Sequence, residues 1–270
     1  MDLIKNMDVK DITIANYIVS FNLAKKHFLN YEMSQTEIIE KMRLILHELK
    51  RGTFMNILNI LLVLKKASKQ DYELLKKFRT EITQISVQEM SDKNKKLILM
   101  SKQESLKDNI IKYTDDLFFK KEYKKFIINK LILSFSTRNK DLLLTVKNNT
   151  ENIEKDQNYL IIKGGIIRYI KSNYKTVKKY GPKIYTFTND ALYESCTKFL
   201  DGLDNKRLLH SKDTDISGEI ASCTYKKIGT GAYFKLFVTD CCSINEIAKL
   251  SQDRGTSFQT INNYYNLQKN

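Results

Sequence analysis

The chain is poor in the features that announce an exported, metal-bound or membrane-embedded protein. Its four cysteines, Cys196, Cys223, Cys241 and Cys242, fall late and form no CxxC pair. Adjacent Cys241 and Cys242 cannot easily bridge each other, and the three histidines, His27, His47 and His210, are scattered. This pattern argues against a zinc site and for reduced thiols in an intracellular compartment. The most apolar run, Phe54 to Leu64, stops at Lys65-Lys66 and is too short to span a bilayer. Met1 to Lys10 mixes charges and lacks an apolar signal core. There is one proline, Pro182, and neither an internal repeat nor a low-complexity segment. The expectation is an intracellular protein with no membrane partner and no metal or other cofactor.

What the chain has in quantity is lysine and aromatic side chains. Its 270 residues suffice for one large domain or two modest ones. A hydrophobic content of 42%, with 15 tyrosines and 13 phenylalanines, indicates a folded core. The formal charge of +15 favours polyanionic partners, nucleic acid first and an acidic membrane surface second. Two plainer readings compete: a lysine-rich surface that keeps the protein soluble, and an AT-rich coding genome that enriches Lys, Asn and Ile.

Apolar spacing predicts helices over Ile12–Phe28, from the Ser34/Glu37 capping box to Leu49, and over Asn56–Ala67 and Asp71–Ile85. These form a compact bundle. Val87–Lys96 is polar and charged and is expected to be a linker, giving domains over 1–90 and 91–270. Helical patterning continues from Leu97 through Leu106–Phe119 and Glu122–Phe135. Asn158–Lys163 and Ile166–Ile170, around Gly164-Gly165, read as a β-hairpin, and Lys183–Phe187 as a third strand. Helices resume at Asn189–Leu200, Ser217–Lys227 and Ser243–Leu250. The expected fold is mainly α (α+β): an N-terminal helical bundle, then a mostly helical domain with a small three-stranded antiparallel sheet.

Three segments stand in an informative order. They are Ser136-Thr-Arg138-Asn-Lys-Asp141-Leu, then Asn173-Tyr-Lys175-Thr-Val-Lys-Lys-Tyr-Gly181, then Arg254-Gly-Thr-Ser-Phe-Gln-Thr-Ile-Asn-Asn-Tyr264-Tyr265-Asn. With a hairpin between the first two, Leu97 to Asn270 resembles the catalytic domain of the tyrosine recombinases (phage integrases). The N-terminal bundle is similar to the core-binding domain that precedes it. In composition and organisation the chain resembles such proteins of large DNA viruses or mobile elements.

The resemblance implies a C-shaped clamp on double-stranded DNA and strand cleavage through a 3′-phosphotyrosine without a metal. That chemistry needs a nucleophile, charge on the scissile phosphate and a proton donor for the leaving oxygen. Arg138 matches the first family arginine, whose planar fork grips phosphate, and Asp141 the acidic residue that orients it. Lys175 matches the lysine that serves as general acid. Tyr265 has the spacing from Thr256 expected of the nucleophile, with Tyr264 as the alternative. Arg168, Lys171, Lys178, Lys179 and Lys183 belong to a run without acidic residues, interleaved with Tyr169, Tyr174 and Tyr180, that suits a DNA backbone track. Active members of the family assemble as tetramers on DNA, so a homo-oligomer is a further implied partner.

The chain also departs from the family pattern. Where a His-x-x-Arg motif is expected, Gly229 to Thr239 offers only Lys235, and Thr256 occupies the late histidine position. Either Lys235 or Arg254 is left to stand in for the second arginine. Losing one such donor costs about a hundredfold or more in rate, so a catalytically degenerate relative with an architectural, packaging or regulatory role on DNA is the alternative. Each residue also has a purely structural reading: Arg138 as a helix-end arginine, the lysine run as a solvated face, and the tyrosine pair as packing for a C-terminal helix.

Overall fold

The computed structural model describes all residues except 1, 6, 10, 175, 211–215, 240–242 and 265–270, and at 2, 12, 102–104, 239 and 262–264 it describes the backbone alone. Two compact units result, Met1–Lys93 and Asn94–Asn270. Among the described residues no helix is long and apolar enough to cross a membrane.

The first unit contains α1 (Asp2–Lys5), α2 (Asp11–Lys26), α3 (Gln35–Leu44), α4 (Arg51–Ala67) and the start of α5 (Glu73–Glu104). Ser34 caps α3, its hydroxyl accepting from the Glu37 N–H at 3.2 Å. The central element is α4, because its apolar residues fall on two faces. Phe54, Ile57, Leu58 and Leu61 join Ala24, Ile38, Met42 and Phe78 in one cluster, while Ile60 and Leu64 meet Ile4 and Phe21 in another. A helix apolar over so much of its girth must be surrounded.

The expected linker at 87–96 is instead helical and lies inside α5. The segment lacks glycine and proline and is rich in Gln, Glu, Met and Lys, all good helix formers, so polarity alone does not interrupt it.

The second unit is built around α7 (Tyr123–Phe135), which buries Phe126, Ile127, Ile128, Leu131 and Ile132. Around it lie α6 (Leu106–Phe119), α9 (Asp190–Leu200), α10 (Ile216–Cys223) and α11 (Thr230–Thr239), with α8 (Val177–Tyr180), α12 (Ile244–Arg254) and α13 (Phe258–Tyr264) elsewhere in the unit. The helix expected over Ser217–Lys227 stops at Cys223, and Lys226 and Lys227 adopt positive φ around a 3-10 turn.

The sheet is larger than expected and mixed. Strands β1 (Leu144–Lys147), β2 (Asn158–Lys163), β3 (Ile166–Lys171), β4 (Lys183–Phe187) and β5 (Asn205–Arg207) stand in the order β4-β3-β2-β1-β5. The hairpin β2–β3 and its neighbour β4 are antiparallel as expected, but β1 adds parallel to β2 and β5 closes antiparallel on β1. Gly164 and Gly165 both take positive φ in the hairpin turn, the conformation a two-residue connection demands.

Leu160 lies in the middle of β2 and is fully buried in the cluster beneath the sheet. Leu160→Ala is therefore expected to cost about 2–5 kcal/mol, read from the urea midpoint of the full chain. An unmoved midpoint would contradict this packing.

Candidate functional site

The site follows from strand parity. On β3, Ile167, Tyr169 and Lys171 share one face, and the register sets them opposite Phe187, Tyr185 and Lys183 of β4. That face meets the end of α7, where the Phe135 ring stands 5.3, 4.9 and 5.0 Å from the rings of Tyr169, Tyr185 and Phe187. The same parity carries Lys171 inward, so its side chain is 0% exposed. It also sets two lysines directly across a strand pair, an arrangement that is destabilising unless an anion intervenes.

Asp141 is that anion. Helix α7 ends at Phe135, Ser136 turns left-handed at φ 49, and the chain re-enters a short 3-10 turn over Asn139–Leu142 with Arg138 as its first cap. The turn aims the Asp141 carboxylate inward, where Oδ2 lies 2.8 Å from Lys171 Nζ and Asp141 is only 1% exposed. The same oxygen accepts the Arg138 backbone N–H at 3.0 Å, which fixes where the Arg138 side chain departs.

The end of α12 closes the cluster from a distant part of the sequence. Lys171 Nζ donates to the Asp253 carbonyl at 3.2 Å, and the Tyr185 hydroxyl to Asp253 Oδ1 at 3.1 Å. Arg254 is buried, donating from Nη1 to the Ser136 carbonyl at 3.1 Å, with its guanidinium 3.9 Å from the centre of the Phe234 ring. A desolvated contact of that kind is worth about 2 kcal/mol. Gly255 caps the helix at φ +62, and its carbonyl accepts from the Thr176 hydroxyl. A Cβ on Gly255 would stand 2.7 Å from both Thr176 Oγ1 and Tyr174 Cε2, so this contact requires glycine.

Asn158 fastens the loop after β3. Its Oδ1 accepts the Ser172 and Asn173 N–H groups at 2.9 and 2.7 Å, and its Nδ2 donates to the Asn173 carbonyl at 3.0 Å.

Burial sets the electrostatics. It lowers the Lys171 pKa despite the opposing pull of Asp141. Burial also lowers Lys183, and the neighbouring Lys171 charge adds to the shift. It raises Tyr169 and Tyr185, keeping both phenols protonated as donors. Among the described residues, the buried side-chain atoms of this cluster without a hydrogen-bond partner include Arg138 Nη1, Lys183 Nζ and Asp141 Oδ1, and the first two are cationic donors.

The sequence-predicted residues distribute as follows. Arg138, Lys171, Lys183 and Arg254 come together, but in different roles. Lys171, expected on a DNA-facing surface, is buried in the Asp141 ion pair because it shares the parity of Tyr169. Arg254, expected to reach phosphate, is engaged by Ser136 and Phe234. Lys235 donates to Asn94 Oδ1 at 2.6 Å. Lys178 and Lys179 are exposed on α8, and Arg168 is exposed on the opposite face of β3. Lys175 and Tyr265 lie outside the described residues, as do Cys241 and Cys242; Tyr264 ends α13, and only its backbone is described. Sequence reasoning missed Asn158, Thr176 and Asp253. An asparagine opening an otherwise apolar strand was the one available signal, since Asn is depleted in strands.

No family model, curated protein or solved structure matches the chain.

Asp141→Asn leaves Lys171 as an uncompensated buried charge and is expected to cost about 3–5 kcal/mol. Replacing both partners, Lys171→Met with Asp141→Leu, is expected to return stability to the wild-type level or above it. Chemical denaturation of the three proteins checks both; a single variant as stable as wild type would contradict the role given to the pair.

Proposed function

We propose that this protein binds double-stranded DNA and breaks and rejoins a strand through a 3′-phosphotyrosyl intermediate, in the manner of the tyrosine recombinases it resembles. The observation that carries the proposal is the cluster around Asp141. It gathers Arg138, Lys171, Lys183 and Arg254 against two carboxylates, Asp141 and Asp253, and leaves Arg138 Nη1 and Lys183 Nζ buried without an acceptor. Such an excess of oriented positive charge suits a phosphodiester. Exposed Lys178 and Lys179 on α8, a few residues before Lys183, extend it with cations suited to neighbouring phosphates.

In this scheme Arg138 holds a non-bridging oxygen of the scissile phosphate. The hydroxyl of Tyr265, or of Tyr264, attacks phosphorus and gives up its proton to water, the bond to the 5′-oxygen breaks, and Lys175 gives that oxygen its proton. Rejoining reverses each step. Residues 1–90 serve as a core-binding-like DNA domain, and assembly on DNA is as a homo-oligomer.

A second reading keeps DNA binding without the chemistry. It is favoured by the engagement of Arg254 with Ser136 and Phe234 and of Lys235 with Asn94, which leaves the role of a second arginine without a dedicated group.

Incubation with a nicked suicide duplex is expected to give a covalent protein–DNA adduct on a denaturing gel, abolished by Tyr265→Phe or by Tyr264→Phe. Arg138→Ala is expected to suppress the adduct and to reduce the slope of log affinity against log salt by about one. Salt-sensitive binding without an adduct would leave the second reading; binding insensitive to salt would remove both.

A further inference from the structure

Lys183 opens β4 directly opposite Lys171. Its Nζ is buried and, among the described residues, has no hydrogen-bond acceptor. The Tyr174 and Tyr180 rings stand 5.4 and 5.8 Å from it, and the Asp253 and Asp141 carboxylates act on it through their charge without accepting a hydrogen bond from it. Lys171 takes Asp141 Oδ2 and the Asp253 carbonyl, and neither these nor the buried Asp141 Oδ1 forms a hydrogen bond with Lys183. Arg138 is joined to the same place through its backbone N–H, which donates to the Asp141 oxygen that pairs with Lys171 opposite Lys183, and its own Nη1 is buried without a partner.

Two cations in one cluster therefore hold unused donors, although buried polar groups are nearly always paired. An unpaired buried ammonium is costly, and an anion that accepts from both groups removes the cost. Room exists beside Lys183, in a cleft of about 380 Å³ lined by Tyr180, Lys183, Ile184, Tyr185, Gln252 and Asp253. The Tyr185 hydroxyl there donates to Asp253 Oδ1.

We infer that Lys183 is the second phosphate-binding cation of this site, acting beside Arg138 on one phosphodiester and taking the charge-stabilising role that Lys235 and Arg254 are not free to fill. This rests on the DNA reading for the identity of the ligand, and on the two unpartnered donors for the site itself. Arg138 supplies a planar fork and Lys183 a compact point charge, so the pair neutralises the phosphate from two directions. Lys171 and Asp141 are positioning residues that keep the two apart and in register.

The test uses the full chain and inorganic phosphate as probe, with ionic strength held constant by sodium chloride and binding read from the shift in thermal unfolding. Wild type is expected to bind phosphate saturably, and Lys183→Met and Lys183→Gln each to weaken it by about tenfold or more. Lys198→Ala, an exposed lysine on α9, serves as control and is expected to change it by less than about twofold. Because Met removes an unpaired buried charge while keeping the chain length, that variant is expected to be at least as stable as wild type without phosphate, and to lose the phosphate-dependent gain. Unaltered phosphate binding in both Lys183 variants, or no saturable binding in wild type, would overturn the inference. Duplex binding by the same proteins separates the two claims. Lys183-dependent phosphate binding without DNA binding would retain the site and remove the DNA reading. DNA binding with no response to either Lys183 variant would do the reverse.

Discussion

The second unit depends on one buried ion pair, Lys171 with Asp141. A lysine at the end of a strand is ordinarily free to leave its stem on the surface and its ammonium in water. Here the alternation set by Ile167 and Tyr169 forbids this, and the ammonium enters the interior beside a second lysine. Desolvation of two such charges costs several kcal/mol each, and only a carboxylate held in good geometry offsets it. The turn after α7 supplies that carboxylate, and the Arg138 N–H and Lys171 ammonium share one of its oxygens. The pair is thus the reason the exit of α7, the far end of the hairpin and the C-terminus of α12 meet at one point.

What that meeting produces is a place where charge is organised before any ligand arrives. Arg254 is absorbed into the scaffold through Ser136 and Phe234, and Gly255 lets the loop with Tyr174 and Thr176 approach without a side chain between. Arg138 leaves the scaffold from a backbone that is fixed by Asp141, with one donor unused. Preorganised donors of this type are most effective where water is excluded. The proposed phosphate chemistry draws on the difference between cations already bound to the protein and cations still lacking an acceptor.

Much of this was legible in the sequence where local rules govern. The Ser34 cap, the hairpin at Gly164-Gly165 and the strand over Lys183–Phe187 all rest on short-range signals. Strand β1 was hidden in the leucine run 142–144, and β5, Asn-Lys-Arg, has no apolar alternation to betray it. The interior position of Lys171 could have been read by counting in twos from Tyr169, but the lysine-rich surroundings suggested a solvated face. Its partner lies thirty positions earlier (171 − 141), and Asp253 lies far later; such contacts belong to tertiary structure and leave no periodic trace. Arg138 stood out because an arginine and a carboxylate three residues on follow a buried helix, whereas the engagement of Arg254 with an aromatic ring was invisible.

The central claim is that the Lys171–Asp141 pair serves function by holding Arg138, beyond any contribution to stability. The protein carrying both Lys171→Met and Asp141→Leu separates these roles, since an apolar pair can keep the fold while releasing the Arg138 backbone. Its affinity for duplex DNA, measured across a salt series, tests the claim most directly. The account predicts a folded protein whose affinity falls at every salt concentration and whose salt slope drops by about one, as for the loss of a single phosphate contact. A folded double variant with wild-type affinity and slope would contradict it.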